Sequence, residues 1–370
     1  MKTERGARMN SLRWVGVVVV LLLTACAARA PEMAMFRGNA AHTGVFSVPA
    51  DQPQGTWEFK TDGRILSSPV IADGALFVGS TDNHLYAIEL ADGRERWRFE
   101  TQGSVVSSPV VKGHTVYVGG LDNRIYGLDT RTGEKRFEFR SGGGIVSSPA
   151  LVGTTLYYGG QDRKVHALDL ETGTLRWSFA AGGEIWSSPV VADGVLYIGD
   201  SWRRLYALDI ENGELVWEFN VQGEVIGSPA VADGMVFFGS ADTYVYALDA
   251  QSGVERWRVQ TAGEVASSPA IQDGLLYIGD ESGLLYALDT ATGDERWRFQ
   301  ASDTIFTSPA IADGVVYFGD WDGIMYGVDA HTGEERWRFR TYGEIWSSPI
   351  VARDLLYFGS FDRRVYAVRP

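Results

Sequence analysis

The sequence predicts an all-β protein, an eight-bladed β-propeller of four-stranded antiparallel blades, and three observations support this. A Ser-Pro pair recurs every 40 residues, a spacing typical of repeat architectures. No segment shows helical periodicity over a useful length. The last repeat lacks its fourth strand, and a matching strand stands at the front of the repeat region. The eight pairs are Ser68-Pro69, Ser108-Pro109, Ser148-Pro149, Ser188-Pro189, Ser228-Pro229, Ser268-Pro269, Ser308-Pro309 and Ser348-Pro349.

Each repeat is predicted to form four short strands, which we call A, B, C and D. In the fourth repeat, strand A covers residues 185–192, B 195–199, C 205–209 and D 215–219. Asp-Gly between the apolar runs of strands A and B indicates a tight hairpin with positive φ. The chain should therefore run as a meander from A to D in every repeat.

The prolines and the ends of the repeat region predict how the meanders are arranged. Proline cannot donate a hydrogen bond to a strand ladder, so its place in every strand A puts that strand at a sheet edge. Sheets arranged radially around a channel leave only short, protected edges. The segment Trp57-Glu58-Phe59 supplies the missing strand D of the eighth repeat. We therefore expect an N-terminal strand to complete the last blade and close the ring.

At this level of detail the repeat resembles the pyrroloquinoline-quinone-like propeller repeat, through its Leu-Tyr-Ala-Leu-Asp, Thr-Gly and Trp-x-Phe elements. The resemblance covers residues 56–370 and implies a tryptophan docking motif. In that motif the strand-D ring packs across the blade interface, with room left by a small strand-C residue such as Ala207. Phe137 takes the ring's place in one repeat. The docking residues are Trp57, Trp97, Trp177, Trp217, Trp257, Trp297 and Trp337.

The N-terminus predicts export and a lipid anchor. Basic residues precede a short apolar run, and Leu23-Thr24-Ala25-Cys26 then resembles the bacterial lipoprotein signal, in which the cysteine is lipidated. We expect a signal peptide over 1–25, a lipidated tether over 26–54 and a propeller over 55–370. Ala27 after the cysteine favours the periplasmic face of the outer membrane.

Within the tether, the segment 35–44 is too specific in composition for a plain linker. We expect its apolar residues to pack on one face of the domain, and we interpret His42 as a structural residue. The sequence assigns this segment no further role.

The charge balance excludes one class of partner. The formal charge of the chain is −14, and no run of Lys or Arg offers a track for phosphates. Such a surface repels nucleic acid. We expect a monomer that does not bind nucleic acid.

Candidate functional residues are those at which the repeats differ, because shared positions are explained by folding. They fall where the D-to-A connections and B-to-C loops open, on what we call the rim face. They could form a ligand pocket, with carboxylates holding a cation such as Ca²⁺, or they could make turns and pack between blades. We expect no metal. The candidates are Glu184, Trp186, Asp200, Trp202, Asp280, Asp320, Trp321, Trp346 and Phe361.

Three functions remain open. The chain resembles propeller lipoproteins of the outer-membrane β-barrel assembly machinery, which implies a non-catalytic scaffold with an envelope protein as partner and no cofactor. The repeat also occurs in quinoprotein dehydrogenases, which would imply pyrroloquinoline quinone and calcium in the channel. Those enzymes commonly carry a vicinal cysteine pair, whereas this chain has one cysteine. A carbohydrate- or peptide-binding module using Trp202, Trp321 and Phe361 is the third.

Overall fold

Eight antiparallel sheets make up the structure, a computed structural model that describes residues 33–39, 41–45 and 55–370. Each sheet follows the order A-B-C-D, and the sheet of blade 2 gains a fifth strand, Met33–Ala34. The predicted eight-bladed propeller is confirmed. The described residues include no helix, and hence none that could cross a membrane. The predicted signal peptide, Cys26 and much of the tether lie outside the described residues.

The strand bounds repeat closely from blade to blade. Blades 1 to 4 comprise Val70–Ala72, Ala75–Gly79, His84–Glu89 and Glu95–Glu100; Val110–Lys112, Thr115–Gly120, Arg124–Asp129 and Lys135–Arg140; Ala150–Val152, Thr155–Gly159, Lys164–Asp169 and Thr174–Ala180; Val190–Ala192, Val195–Gly199, Arg204–Asp209 and Leu215–Asn220. Blades 5 to 8 comprise Ala230–Ala232, Met235–Ser240, Tyr244–Asp249 and Glu255–Gln260; Ala270–Gln272, Leu275–Gly279, Leu284–Asp289 and Glu295–Gln300; Ala310–Ala312, Val315–Gly319, Ile324–Asp329 and Glu335–Arg340; Ile350–Ala352, Leu355–Ser360, Arg364–Val368 and Trp57–Lys60.

Strand A is shorter than the sequence predicts. In blade 4 it begins at Val190, so residues 185–189 stand outside the ladder. The reason is visible at the Ser-Pro pair, because the backbone N–H of Ser188 donates sideways to the hydroxyl of Ser228 in the next blade. The strand still lies at the sheet edge, as the proline predicts.

The serines of the eight Ser-Pro pairs form a closed ring of hydrogen bonds around the channel. Each backbone N–H donates to the Oγ of the serine 40 residues later, at 2.9–3.1 Å, and Ser348 donates to Ser68 to complete the circle. All eight serines are buried. The ring explains why the Ser-Pro pair recurs at a constant spacing.

Breaking one link of this ring should destabilise the whole propeller. Ser228→Ala removes the acceptor of the buried Ser188 N–H, which should lower the free energy of unfolding by about 1–3 kcal/mol. Urea denaturation followed by tryptophan fluorescence measures the change. Ser201→Ala, on a surface loop, is the matched control and should stay within about 0.5 kcal/mol of the parent. Equal effects at the two positions would contradict a structural role for the ring.

The N-terminal strand closes the propeller as predicted. Trp57–Lys60 pairs antiparallel with Arg364–Val368, with Trp57 opposite Ala367 and Lys60 opposite Arg364. The outermost strand of blade 8 therefore comes from the start of the domain, and the other three come from its end.

Six of the seven strand-D tryptophans, all but Trp337, join neighbouring blades through one recurring bond. The Trp217 Nε1 donates to the carbonyl of Ala250 in blade 5, at 3.0 Å. Its ring lies against Gly253, where a Cβ would stand 2.7 Å from the ring. The same donation, to the residue 33 positions later, is made by Trp57, Trp97, Trp177, Trp217, Trp257 and Trp297.

The segment 33–45 lies against the inner strands rather than on an outer face of the domain. Its backbone carbonyls accept hydrogen bonds from strand-A amides of three successive blades. Ala41 O accepts from Val231, Thr43 O from Ile271 and Gly44 O from Ile311, at 2.8–3.1 Å. The three amides are 40 residues apart, so the segment follows the eightfold repeat of the channel wall. At its other end, Met33–Ala34 pairs with the inner strand of blade 2.

Two polar side chains of this segment are enclosed by the channel. Arg37 is 3% exposed and donates to the carbonyls of Ser268, Pro269 and His42. Burial lowers the pKa of Arg37 to about 9. His42 is 1% exposed, and its Nδ1 has no hydrogen-bond partner among the described residues. The segment therefore plugs the channel with residues of the chain itself.

Candidate functional site

One face of the ring gathers the B-to-C loops and the D-to-A connections. In blade 4 the backbone N–H of Ser201 donates to the carbonyl of Glu184, at 3.0 Å. The equivalent bond is present in all eight blades, at 2.9–3.1 Å. The two loop types are thus held together, which places all nine predicted residues on the rim face. The A-to-B and C-to-D turns occupy the opposite face, which we call the turn face.

The structure buries the three carboxylates that the sequence places on this face. Asp200 is 0% exposed and accepts hydrogen bonds from the backbone N–H groups of Gly183, Trp202 and Arg204 and from the Tyr206 hydroxyl. Asp280 and Asp320 are equally buried in equivalent networks. Burial raises the pKa of Asp320. None of the three is accessible to a ligand at the surface, which favours a role in the turns over a role in holding a cation.

An apolar ring surrounds the channel mouth on the rim face. Each blade contributes one residue to this apolar ring, the residue two positions before the serine of its Ser-Pro pair. None of the eight residues is fully buried. Leu, Val, Ile, Ala, Phe and Trp all occur, so the ring is uniform in polarity but uneven in size. Its members are Leu66, Val106, Val146, Trp186, Ile226, Ala266, Phe306 and Trp346.

On blades 7, 8 and 1, aromatic side chains of the rim cover one another. Trp346 stacks on Trp321 at 5.0 Å and on Phe361 at 5.1 Å, with Phe306 4.7 Å away. The guanidinium of Arg64 covers Phe361 at 5.0 Å. Because both faces of Trp346 are occupied, this stack joins neighbouring blades and leaves no free ring face for a planar ligand. The Trp321 Nε1 is buried without a hydrogen-bond partner among the described residues.

Blade 4 differs, because its two rim tryptophans are open to solvent. Trp202 is 63% exposed and Trp186 is 46% exposed, with the Trp186 Nε1 donating to the Glu184 carboxylate at 3.2 Å. Trp202 borders a depression of about 770 Å³. We call this surface the blade 4–6 sector, defined by Trp186, Trp202, Glu224, Ile226 and Glu264.

The sector is negatively charged. Glu224 and Glu264 line the depression and are exposed, and neither is in an ion pair among the described residues. Burial, with the charges of Glu264 and Asp280, raises the pKa of the neighbouring Glu281. Arg203 is the positive residue at the edge of the depression.

A quinone cofactor does not fit the residues present. At the level of the Ser-Pro pairs, Phe36 and Arg37 leave a cavity of about 10 Å³, which is about the volume needed for one water. The open depression on the rim is lined by Glu224 and Glu264, which repel the carboxylates that pyrroloquinoline quinone carries. Over the described ranges, no three His, Cys, Asp or Glu residues are grouped so as to hold a metal ion.

For Glu224, Glu264 and Arg37, the structure adds contacts that the sequence does not show. Glu224 and Glu264 differ from their counterparts Arg64 and Ser104, and their position next to Trp202 becomes clear only in the structure. Arg37 gave no signal, because its acceptors are backbone carbonyls of blade 6.

The fold is similar to that of several solved proteins. BamB from Moraxella catarrhalis superimposes with a TM-score of 0.73 and 18% identity, over 84% of this chain and 98% of that chain. The computationally designed Ika8 protein gives 0.76 and 17%, over 84% and 98%. Quinohemoprotein alcohol dehydrogenase from Comamonas testosteroni gives 0.76 and 14%, over 90% and 79%. At these identities the likeness establishes the fold. No curated protein matches the chain in sequence.

The sequence itself matches a family model along almost the whole repeat region. The matched residues are 46–182, 178–270 and 241–370, which together run without a gap from the tether to the last residue. The match includes the strands of all eight blades and both rim tryptophans of blade 4. The chain therefore belongs to the PQQ-like propeller family whose model is described as outer membrane protein assembly factor BamB.

Proposed function

We propose that this protein is a lipid-anchored propeller of the cell envelope that acts as a non-catalytic, protein-binding scaffold in outer-membrane β-barrel assembly. The observation that carries the proposal is the blade 4–6 sector. Two large tryptophans stand open to solvent there, whereas the rim tryptophans of blades 7 and 8 are stacked on each other. Exposed tryptophans are typical anchors of protein–protein interfaces.

The plugged channel supports a binding role rather than a catalytic one. The segment 33–45 fills the channel, the space in which the enzymes with this repeat would hold their cofactor. What remains accessible is a rigid ring that presents loops. The family description and the structural neighbour from Moraxella catarrhalis point to an assembly factor of the outer membrane.

The proposed anchor is Cys26, seven residues before the first described strand, Met33–Ala34. Cys26→Ser should therefore release the protein from the membrane fraction and abolish incorporation of labelled palmitate. Retention of the variant in that fraction would contradict lipid anchoring.

Site-specific photocrosslinking in cells tests the scaffold role. A photoreactive phenylalanine at position 202 should crosslink to a component of the β-barrel assembly machinery. The control is position 254, where the native valine is 58% exposed in the C-to-D turn of blade 5, on the turn face. Crosslinks of equal yield to the same component from both positions, or none from position 202, would contradict the proposal.

A further inference from the structure

The hydrogen bonds of its loop do not require the side chain of Trp202, because another residue of the loop supplies the acceptor that this position supplies in other blades. In blades 1, 2, 5 and 8 the equivalent residue is an aspartate that accepts a hydrogen bond from a strand-C tyrosine, as Asp242 does from Tyr246 at 2.9 Å. In blade 4 the Tyr206 hydroxyl donates instead to Asp200, two residues earlier, also at 2.9 Å. The loop is therefore complete without the side chain of Trp202, which nevertheless is a large ring, 63% exposed.

The depression beside Trp202 is lined by carboxylates from a position at which four of the eight blades carry no carboxylate. Glu184, Glu224 and Glu264 stand at equivalent positions of blades 4, 5 and 6, and Glu344 of blade 8 is the fourth carboxylate at this position. Blades 1, 2, 3 and 7 carry Arg64, Ser104, Gly144 and Thr304 at the same position. The negative charge is thus concentrated on the sector that also exposes the two tryptophans.

This combination selects a cationic partner. A Lys or Arg side chain over the face of a tryptophan gains a cation–π attraction, and nearby carboxylates strengthen its recognition. Ile226 adds an apolar contact in the lining of the depression, and Trp186 is exposed on the same face. Nucleic acid is excluded by the same charges.

We propose that the blade 4–6 sector binds a polypeptide segment carrying Arg or Lys. The cationic head group lies between Glu224 and Glu264 and its aliphatic stem lies on Trp202. This rests on the proposed function, since it names the chemistry of the partner that the scaffold would hold. Association should weaken as salt is raised.

The experiment places the photocrosslinker at Ser201, which lines the depression, and compares three backgrounds in cells. In the parent, mass spectrometry of the crosslinked partner peptide should show Arg or Lys within about three residues of the link. Glu224→Gln with Glu264→Gln should lower the crosslinking yield about tenfold, which corresponds to about 1.4 kcal/mol. The matched control, Glu211→Gln with Glu214→Gln, removes the same charge from the C-to-D turn of blade 4 and should leave the yield unchanged.

A second variant separates binding from folding. Trp202→Ser introduces the residue that blade 6 carries in the equivalent network, Ser282 beside Asp280, so it should keep the parent's unfolding midpoint and reduce the crosslinking yield about tenfold. A crosslinked segment that is neutral or acidic, or a yield insensitive to the Glu→Gln pair, would overturn the inference and leave the scaffold role standing. Absence of any crosslink from Ser201 in the parent would overturn both.

Discussion

The Trp217→Ala variant should unfold with a free energy about 3 kcal/mol lower than the parent, the lower end of the range for removing a packed tryptophan, because the ring is partly buried. The ring lies 5.7 Å from Tyr197 of its own blade and covers Gly253 of the next. Its removal leaves a cavity at a blade interface and breaks the bond from Nε1 to the Ala250 carbonyl. The Tyr197 hydroxyl still donates to that carbonyl, so the main loss is packing.

Urea denaturation measures this effect, and Trp202→Ala is its matched control. Both changes remove one indole ring from blade 4, but Trp202 is 63% exposed and should cost less than about 0.5 kcal/mol. A midpoint for Trp217→Ala indistinguishable from that of the parent would show that the ring does not hold the interface together. A large loss for Trp202→Ala would contradict the assignment of that residue to partner binding.

The fold could be predicted from sequence because every blade repeats the same local signals. Asp193-Gly194 takes positive φ at both residues, as the hairpin requires, and Pro189 stands directly before the inner strand. Ring closure could also be predicted, since the eighth repeat lacks a strand that residues 57–60 supply. Because the repeat occurs eight times at a spacing of 40 residues, each turn and strand signal can be checked at equivalent positions of the other repeats.

The channel plug could not be predicted, because its partners become neighbours only once the ring closes. The amides of Val231, Ile271 and Ile311 are far apart along the chain and line one wall in the structure. A side chain such as Arg37, which donates to backbone carbonyls, leaves no complementary residue to be found in the sequence.

The rim was predicted as a location but not in its details. Trp186 and Trp346 occupy equivalent positions, and only the structure shows that Trp346 is covered on both faces whereas Trp186 is 46% exposed. The transfer of the tyrosine's acceptor from position 202 to Asp200 could have been detected by aligning the B-to-C loops, since blade 4 has aspartate two residues early and tryptophan in its place.

Acidification should release the segment 33–45 from the channel. Burial, followed by the charge of Arg37, lowers the pKa of His42 to about 3, whereas a solvent-exposed histidine titrates near 6.5. The neutral His42 therefore contributes its full share to the binding of the segment 33–45 in the channel above about pH 6.5. As the pH falls toward 3, the free energy of this binding weakens by about 1.4 kcal/mol per pH unit. Between pH 6.5 and 3 the total loss of binding free energy is about 5 kcal/mol. The serine ring and the tryptophans hold the blades together, so the segment should be released before the blades unfold.

Hydrogen exchange resolved by residue measures this release, because the amides of Val231, Ile271 and Ile311 donate to the segment. Between pH 6.5 and 4, their protection should fall relative to that of amides in strands B and C, after correction for the intrinsic rate. His42→Asn is the matched control: asparagine tolerates the positive φ of 54° at this position and does not titrate. Its protection should not depend on pH in this range. Equal pH dependence in the parent and in His42→Asn would show that another group governs docking, whereas a difference confined to these three amides would identify His42 as the residue that keeps the channel closed at neutral pH.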